Sequence, residues 1–330
     1  MPSKCILAVN SLVKIFEPKG FFIREHPQGS FTAIDNISFT MQPGEIIGLL
    51  GTNGSGKSTI MQMLLGTVTP TSGTIEYFGK DFSSNRSEIL QHIGFASSYI
   101  KLAPRLTIYE NLDVFGRLYG LGHTERAHII ETFLKFFGLW DMRHKETATL
   151  SAGQTTRVML AKAFFAKPKI VLLDEPTASL DPDIAYEMRQ FVLQQQRDLG
   201  ISILLASHNM DEVTELCNRV LVIKQGKLIA NDTPALLASR IATSRVQLTI
   251  KEGLDRAVHY ARHNALPHAV RNTTISIEIN EQKVATLLTN LAHAKVAYAG
   301  VTIEKPTLQD YFLQIAEPSR TPSHKAGAAL

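Results

Sequence analysis

The sequence has no run approaching the ~18–20 apolar residues that a membrane-spanning helix needs. It is also poor in cysteine. Of its 330 residues only Cys5 and Cys217 are cysteines, too few for a disulfide framework or a structural zinc site, so a reducing compartment is expected. An excess of charge of one sign is missing too, since 34 Lys+Arg against 30 Asp+Glu leave a net charge of +4. The resulting pI of about 8.9 permits an anionic partner (nucleotide, nucleic acid or lipid surface) and requires none. There is no internal repeat and no sustained heptad pattern. The opening stretch MPSKCILAVNSLVKIFEPKGFF carries Lys4, Lys14, Glu17 and Lys19 and is not expected to be a signal peptide. These absences exclude an integral membrane protein and a secreted mini-protein. At 44% hydrophobic and 19% charged residues the chain is not a disordered one either. At ~100–200 residues per domain it should form about two domains.

From about residue 30 to 235, short apolar runs rich in β-branched residues alternate with helical patterns. GEIIGLLG (44–51), KIVLLDEP (169–176) and GISILLASH (200–208) are examples. That rhythm predicts an α/β fold with a buried, mostly parallel sheet. Residues 1–42 read instead as antiparallel strands around polar, turn-rich sequence. Residues 105–167 lack strand signals and read as mainly helical. From about 245 a smaller α+β pattern begins: VQLTI alternates, GLDRAVHYARHN reads as a helix, TTISIEI alternates and QKVATLLTNLAHA is amphipathic. A last strand in VAYAGVTIE and a short helix in TLQDYFLQI follow, and 317–330 should be a disordered tail. His259 and His263 share a helix face at a spacing that can bind metal, but no nearby Cys or carboxylate set completes such a site. A solvated face is therefore expected.

Chemistry concentrates in a few short segments. Gly51-Thr52-Asn53-Gly54-Ser55-Gly56-Lys57-Ser58 has the spacing of a phosphate-binding loop, between a strand and the helix beginning at Thr59. Glycines let backbone N–H groups face the phosphates, and the helix N-terminus adds roughly half a positive charge. Lys57 should bridge the β- and γ-phosphates, and Ser58 should offer its hydroxyl to Mg²⁺. A dinucleotide loop fits worse, because the third glycine of its fingerprint would fall on Thr59. The apolar run Ile170–Leu173 ends in Asp174 and Glu175. A strand that dry rarely ends in two carboxylates for packing reasons. Asp174 is placed to hold Mg²⁺, and Glu175 to orient the attacking water or accept its proton.

Leu150-Ser151-Ala152-Gly153-Gln154 resembles the signature motif of ABC-type ATPases, usually LSGGQ, with Ala in place of the first Gly. The resemblance continues in Ser179-Leu180-Asp181, similar to the family's D-loop, and in His208, similar to its switch histidine. Five motifs in the family's order span roughly residues 5–235. They imply a P-loop NTPase core of ABC ATPase type at 1–240, with a mostly parallel sheet, an antiparallel β subdomain and a helical subdomain at about 99–167. A small C-terminal α+β domain at 245–316 resembles the one that follows the core in some exporter ATPases. The resemblance implies an ATP-hydrolysing subunit that dimerises head to tail with a second copy or a paralogous subunit. ATP would lie between Lys57 of one chain and Ser151, Gly153 and Gln154 of the other. His208 would touch the γ-phosphate and Asp181 would link the two sites. Partners would be ATP and transmembrane permease subunits, on the cytoplasmic face of the inner membrane.

Two matches are weaker, and the second is a departure from the family. The aromatic residue that usually stacks on adenine is matched by Phe16, with Phe21 and Phe22 as alternatives. The glutamine of the Q-loop is replaced by Ser98, too short to reach Mg²⁺ and the attacking water, so a weakened metal contact is expected. A soluble ABC-type ATPase acting on nucleic acid or ribosomes is the alternative. Such relatives usually carry two ATPase units or long coiled coils, whereas this chain has one phosphate loop. Without a dense basic cluster no nucleic-acid partner is expected.

Overall fold

A computed structural model describes residues 5–17, 29–97, 102–178, 180–241 and 243–316. Two compact units divide the chain, Met1–Thr233 and Pro234–Leu330. No helix among the described residues is long and apolar enough to cross a membrane.

The first unit opens with β1 (Leu7–Phe16) and β2 (Phe31–Met41), followed by β3 (Ile46–Leu50) and α1 (Lys57–Leu64). Next come β4 (Ser72–Tyr77), β5 (Lys80–Asp81), α2 (Arg86–Leu90) and β6 (Ile93–Ser97). The helical part holds α3 (Ile108–Leu118), α4 (His123–Phe136) and α5 (Ala152–Phe164). The chain then returns to the sheet through β7 (Ile170–Asp174), α6 (Pro182–Leu199), β8 (Ser202–Ala206) and α7 (Met210–Leu216). A hairpin of β9 (Arg219–Lys224) and β10 (Lys227–Asp232) completes the unit.

Six strands form the central sheet in the order β10-β9-β3-β8-β7-β6, parallel except for the β10–β9 pair. β3, β7 and β8 bury every residue, which is why they read as unbroken apolar runs. β1 and β2 pair antiparallel as expected. Residues 72–77 lie within the stretch read as βα rhythm, yet they join β1 antiparallel rather than the central sheet. That second sheet, β2-β1-β4-β5, packs with the central sheet around α1. Ile60, Met63 and Leu64 of α1 are enclosed between Leu12, Ile34 and Tyr77 on one side and Leu49, Leu172 and Leu221 on the other. Tyr77 closes the end of α1 by donating its hydroxyl to the Leu64 carbonyl at 3.0 Å, and full burial pushes its pKa up. The helix that starts at the phosphate loop is thus clamped on both sides.

In the helical part α3 begins with a capping box, Thr107 with Glu110. The rings of Phe133, Phe137, Phe164 and Phe191 tie α4 and α5 to α6, with Phe191 centroids 5.0–6.1 Å from the other three.

The second unit consists of α8 (Pro234–Ser239), β11 (Thr243–Glu252), α9 (Leu254–His263), β12 (His268–Arg271), β13 (Thr274–Asn280), α10 (Val284–His293), β14 (Ala297–Glu304) and α11 (Leu308–Ala316). Its sheet runs β12-β13-β11-β14, all antiparallel, in a β-α-β-β-α-β order of ferredoxin-like type. Val246, Leu248 and Ile250 alternate inward onto Ala257, Ala261, Leu287 and Leu291 of the two covering helices. α8 packs on α11 within this unit, which begins at Pro234. His259 and His263 stack on the exposed face of α9, and no group of three metal-binding side chains occurs among the described residues. The tail at 317–330 lies outside the described residues.

Candidate functional site

The loop between β3 and α1 wraps tightly because two glycines leave room for the backbone. Gly56 has φ +113°, and a Cβ there would come within 2.6 Å of the Ile34 side chain and 2.9 Å of the Ala33 carbonyl. A Cβ on Gly51 would meet Ser55 Oγ at 2.4 Å and the Ile223 carbonyl at 2.5 Å. The loop is pinned from outside as well, since Gly226 N–H donates to the Ser55 carbonyl at 2.9 Å. Residues 53–59 line a cleft of about 380 Å³, with Phe31, Ala33, Asp174 and Glu175 completing its walls.

Lys57 is buried at the base of this cleft and donates to the Gly51 carbonyl at 2.7 Å and to Thr52 at 3.3 Å. Burial pulls its pKa below the ordinary lysine value, against the opposing charges of Glu175 and Asp174. Asp174 ends β7 and accepts a hydrogen bond from Ser97 Oγ at 3.3 Å. Burial and the neighbouring Glu175 raise its pKa, while Ser97 and Lys57 act in the other direction.

Glu175 leaves the strand in the left-handed region, with φ +53°. That conformation is unusual for a residue with a side chain and turns its carboxylate towards the end of β8. There His208 Nδ1 lies 2.7 Å from Glu175 Oε2, although the two residues are far apart in sequence. His208 is 65% exposed at its side chain and Glu175 14%; Glu175 lines the cleft, and His208 contacts it without lining the cleft itself. Parallel pairing of β7 with β8 puts Asp174 beside Ala206, which brings the two loops together.

Other residues singled out from sequence lie elsewhere. Ser151 caps α5, accepting from Gln154 N–H at 3.3 Å while the Gln154 side chain accepts from Ser151 N–H at 3.0 Å. Ser151, Gly153 and Gln154 are absent from the walls of the Lys57 cleft. Asp181 is the exposed N-cap of α6, with Pro182 in its first turn. Ser98, Ser179, Phe21 and Phe22 lie outside the described residues.

Phe16 is 41% exposed and sits beneath the Lys14 amine at 5.0 Å, but it does not line the cleft. Its cross-strand partner Phe31 is 62% exposed and does line it. Nothing in the sequence marks Phe31, because the Phe16–Phe31 pairing follows only from the β1–β2 register. The same holds for Ser97 and for Glu212, two buried polar residues each with a partner distant in sequence.

A family model for ABC transporters matches residues 34–178, the stretch that carries the phosphate loop and the Asp174-Glu175 pair. The linearmycin resistance ATP-binding protein LnrL of Bacillus subtilis is 32% identical over 296 residues, covering 87% of this chain and 94% of the relative. The chain belongs to the ABC transporter family. It is an ATP-hydrolysing subunit of such a transporter. A Nod factor export ATP-binding protein I of Paraburkholderia xenovorans is 36% identical over 224 residues, or 67% of this chain and 72% of that protein. Among solved structures, cbiO1 from Clostridium perfringens, part of the ABC transporter complex cbiONQ, superposes with a TM-score of 0.60 at 29% identity. That match covers 71% of this chain and 91% of cbiO1.

Within this ABC subunit the observed arrangement is suited to phosphoryl chemistry. A buried amine and the start of α1 supply positive potential at the base of the cleft. Two carboxylates line it and an imidazole contacts one of them, a set able to deprotonate a water and meet a γ-phosphate oxygen.

Proposed function

We propose that this subunit powers export through a separate membrane permease, working as a head-to-tail dimer with a second copy or a paralogous ATPase subunit. The observation that carries the reading is the Glu175–His208 contact at 2.7 Å beside Asp174 and Lys57. Lys57 would exchange its bonds to Gly51 and Thr52 for β- and γ-phosphate oxygens. Residues 53–59 would direct backbone N–H groups and the Ser58 and Thr59 hydroxyls at the same anion. Glu175, held by the imidazole, would take the proton of the attacking water, and His208 would meet the γ-phosphate.

The donor set of Ser58 hydroxyl and Asp174 carboxylate consists of hard oxygens, which fits Mg²⁺. The ion would neutralise charge developing on the phosphates. Ser98, in the place of the usual glutamine, would leave that ion with a weaker protein contact.

Ser151 and Gly153 at the start of α5 would form a second anion site, reached only by the nucleotide of the partner subunit. An interaction shared by two chains only while the γ-phosphate is present favours the closed pair, and hydrolysis releases it. Asp181 at the head of α6 would connect the two composite sites. Phe16 remains the proposed base platform by resemblance, and Phe31 in the cleft wall offers a second aromatic face. Export is supported by the export role named for the Nod factor relatives, and a place at the cytoplasmic face of the inner membrane would follow from docking on the permease.

Glu175→Gln tests the reading. Turnover should nearly vanish while ATP-bound dimers accumulate on a sizing column. A variant that hydrolyses ATP at the wild-type rate would remove Glu175 from this role. Recovery of the chain with membranes only when a permease is co-expressed would support the partner; tight, salt-sensitive RNA or DNA binding without membrane association would overturn it.

A further inference from the structure

Glu212 lies in the first turn of α7 and only 1% of it is exposed. A buried carboxyl group is costly unless both oxygens are satisfied. Here each oxygen accepts from a hydroxyl, and the two hydroxyls belong to different loops. Thr177 Oγ1 donates to Oε1 at 2.9 Å, and Ser207 Oγ donates to Oε2 at 2.6 Å. Thr177 follows Glu175 and Pro176 on the loop leaving β7; Ser207 immediately precedes His208 on the loop leaving β8. Asn209 fixes the arrangement further, its N–H donating to Ser207 Oγ at 3.1 Å and its Oδ1 accepting from Glu212 N–H at 3.2 Å. Arg189, whose charge reaches Glu212, is itself paired with Glu215.

Apolar side chains of similar volume usually fill such a position at no loss of stability, so packing alone does not account for an acid here. The geometry offers another reason. Glu175 is held in the left-handed region, which persists only where the surroundings over-determine it. One backbone bond, from Glu175 N–H to the Ala206 carbonyl at 2.8 Å, ties the two loops at their base. The Glu212 carboxylate ties them again, two residues beyond Glu175 and one before His208.

We propose that Glu212 is a positioning residue for ATP hydrolysis: it straps the Thr177 loop to the Ser207 loop and so holds Glu175 and His208 at contact distance. The inference rests on the roles given above to Glu175 and His208. Glu212 does not line the Lys57 cleft and acts only through those two residues. Losing the strap should misplace the base without disturbing the phosphate loop.

The test is a set of variants of the full chain, assayed for kcat, KM for ATP, affinity for a fluorescent ATP analogue, and melting temperature. Glu212→Ala should lower kcat about 10–100-fold, the scale of a misplacement near 1 Å, with KM and analogue affinity unchanged within about twofold. Glu212→Gln keeps an acceptor for one hydroxyl and offers an N–H to the other, so it should recover to within about threefold of wild type. Thr177→Val and Ser207→Ala should each lower kcat in the same direction, and neither should add its full effect to Glu212→Ala, because the three act as one unit.

Wild-type kcat in folded Glu212→Ala would overturn the strap. So would a parallel loss of analogue affinity, kcat and melting temperature without rescue by Glu212→Gln, which marks a packing role. Should Glu212→Ala fail to fold, Thr177→Val and Ser207→Ala decide, and wild-type kcat in both overturns the inference. Glu175→Gln in the same series separates the two levels. If it stays active, the site reading fails; if it is inactive while Glu212→Ala is normal, only the strap fails.

Discussion

The central sheet of the first unit and the sheet of the second bury their strands in different ways, and the difference governs where chemistry appears. In β3, β7 and β8 every residue is buried, so a charged side chain has no place within the strand. Asp174, the last residue of β7, is therefore forced to the carboxyl edge of the sheet, where the phosphate loop and the β8 loop also emerge. In β11 buried and open positions alternate, and Arg245, Gln247 and Thr249 face away from the core. Polar residues are spread along the strand there, most of them on the open face. A sheet covered on both faces concentrates function at its ends; a half-covered sheet does not.

The sharpest way to break the comparison is at the strand end. Glu175→Gln should lower kcat on the order of 10³-fold, measured by phosphate release, since it removes the proposed base. The next contrast concerns the strands themselves. Leu172→Ala, enclosed on both faces of its sheet, should cost about 3–5 kcal/mol in denaturant unfolding, and Leu248→Ala about 2–3 kcal/mol, because a one-sided core relaxes more readily into the gap. Equal losses would show that cover on the second face does not matter.

A smaller effect concerns an acid that the helical part half-buries away from any strand end. Asp113 accepts from Arg126 and from Arg117, each at 2.7 Å. Burial alone would raise its pKa, but the hydrogen bonds and charges of the two arginines outweigh it and bring the value below the ordinary aspartate one. A lowered folded pKa means stability that is present above the unfolded value and lost as the pH falls through the folded one. Asp113→Asn should remove that acid-side loss and about 1 kcal/mol of stability at neutral pH, read from urea midpoints across pH. The smallest change should come from the open face of the second sheet. Arg245 meets Glu278 at 3.5 Å and Glu304 at 3.8 Å with about half of each side chain exposed. Arg245→Ala should stay within about 0.5 kcal/mol, by the same unfolding measurement. A larger loss would give that face an importance that its geometry does not suggest.

Much of the site was legible because its rules are local. Glycine spacing, a lysine at the start of a helix, and Ser151 three residues before Gln154 constrain the backbone within a few positions. The run Ile170–Leu173 marked a strand whose end must carry the acids. What escaped depended on register. Phe31 reaches the cleft wall because β1 and β2 pair Phe16 with Phe31, and residues 72–77 leave the parallel rhythm because β1 offers them a free edge. Glu212 sits in an ordinary amphipathic pattern, MDEVTEL, and nothing in that pattern marks it as buried.

By itself, then, the sequence determined that the chain has a phosphate loop, an Asp-Glu strand end and a helix opened by Ser151, since each is written within a single element. Tertiary structure alone decided that Glu175 meets His208, that Ser97 meets Asp174, and that Glu212 joins two loops. The physical reason is the strand order β3-β8-β7-β6: parallel neighbours bring distant segments side by side, and contacts between their ends depend on sheet register rather than on any residue's immediate neighbours.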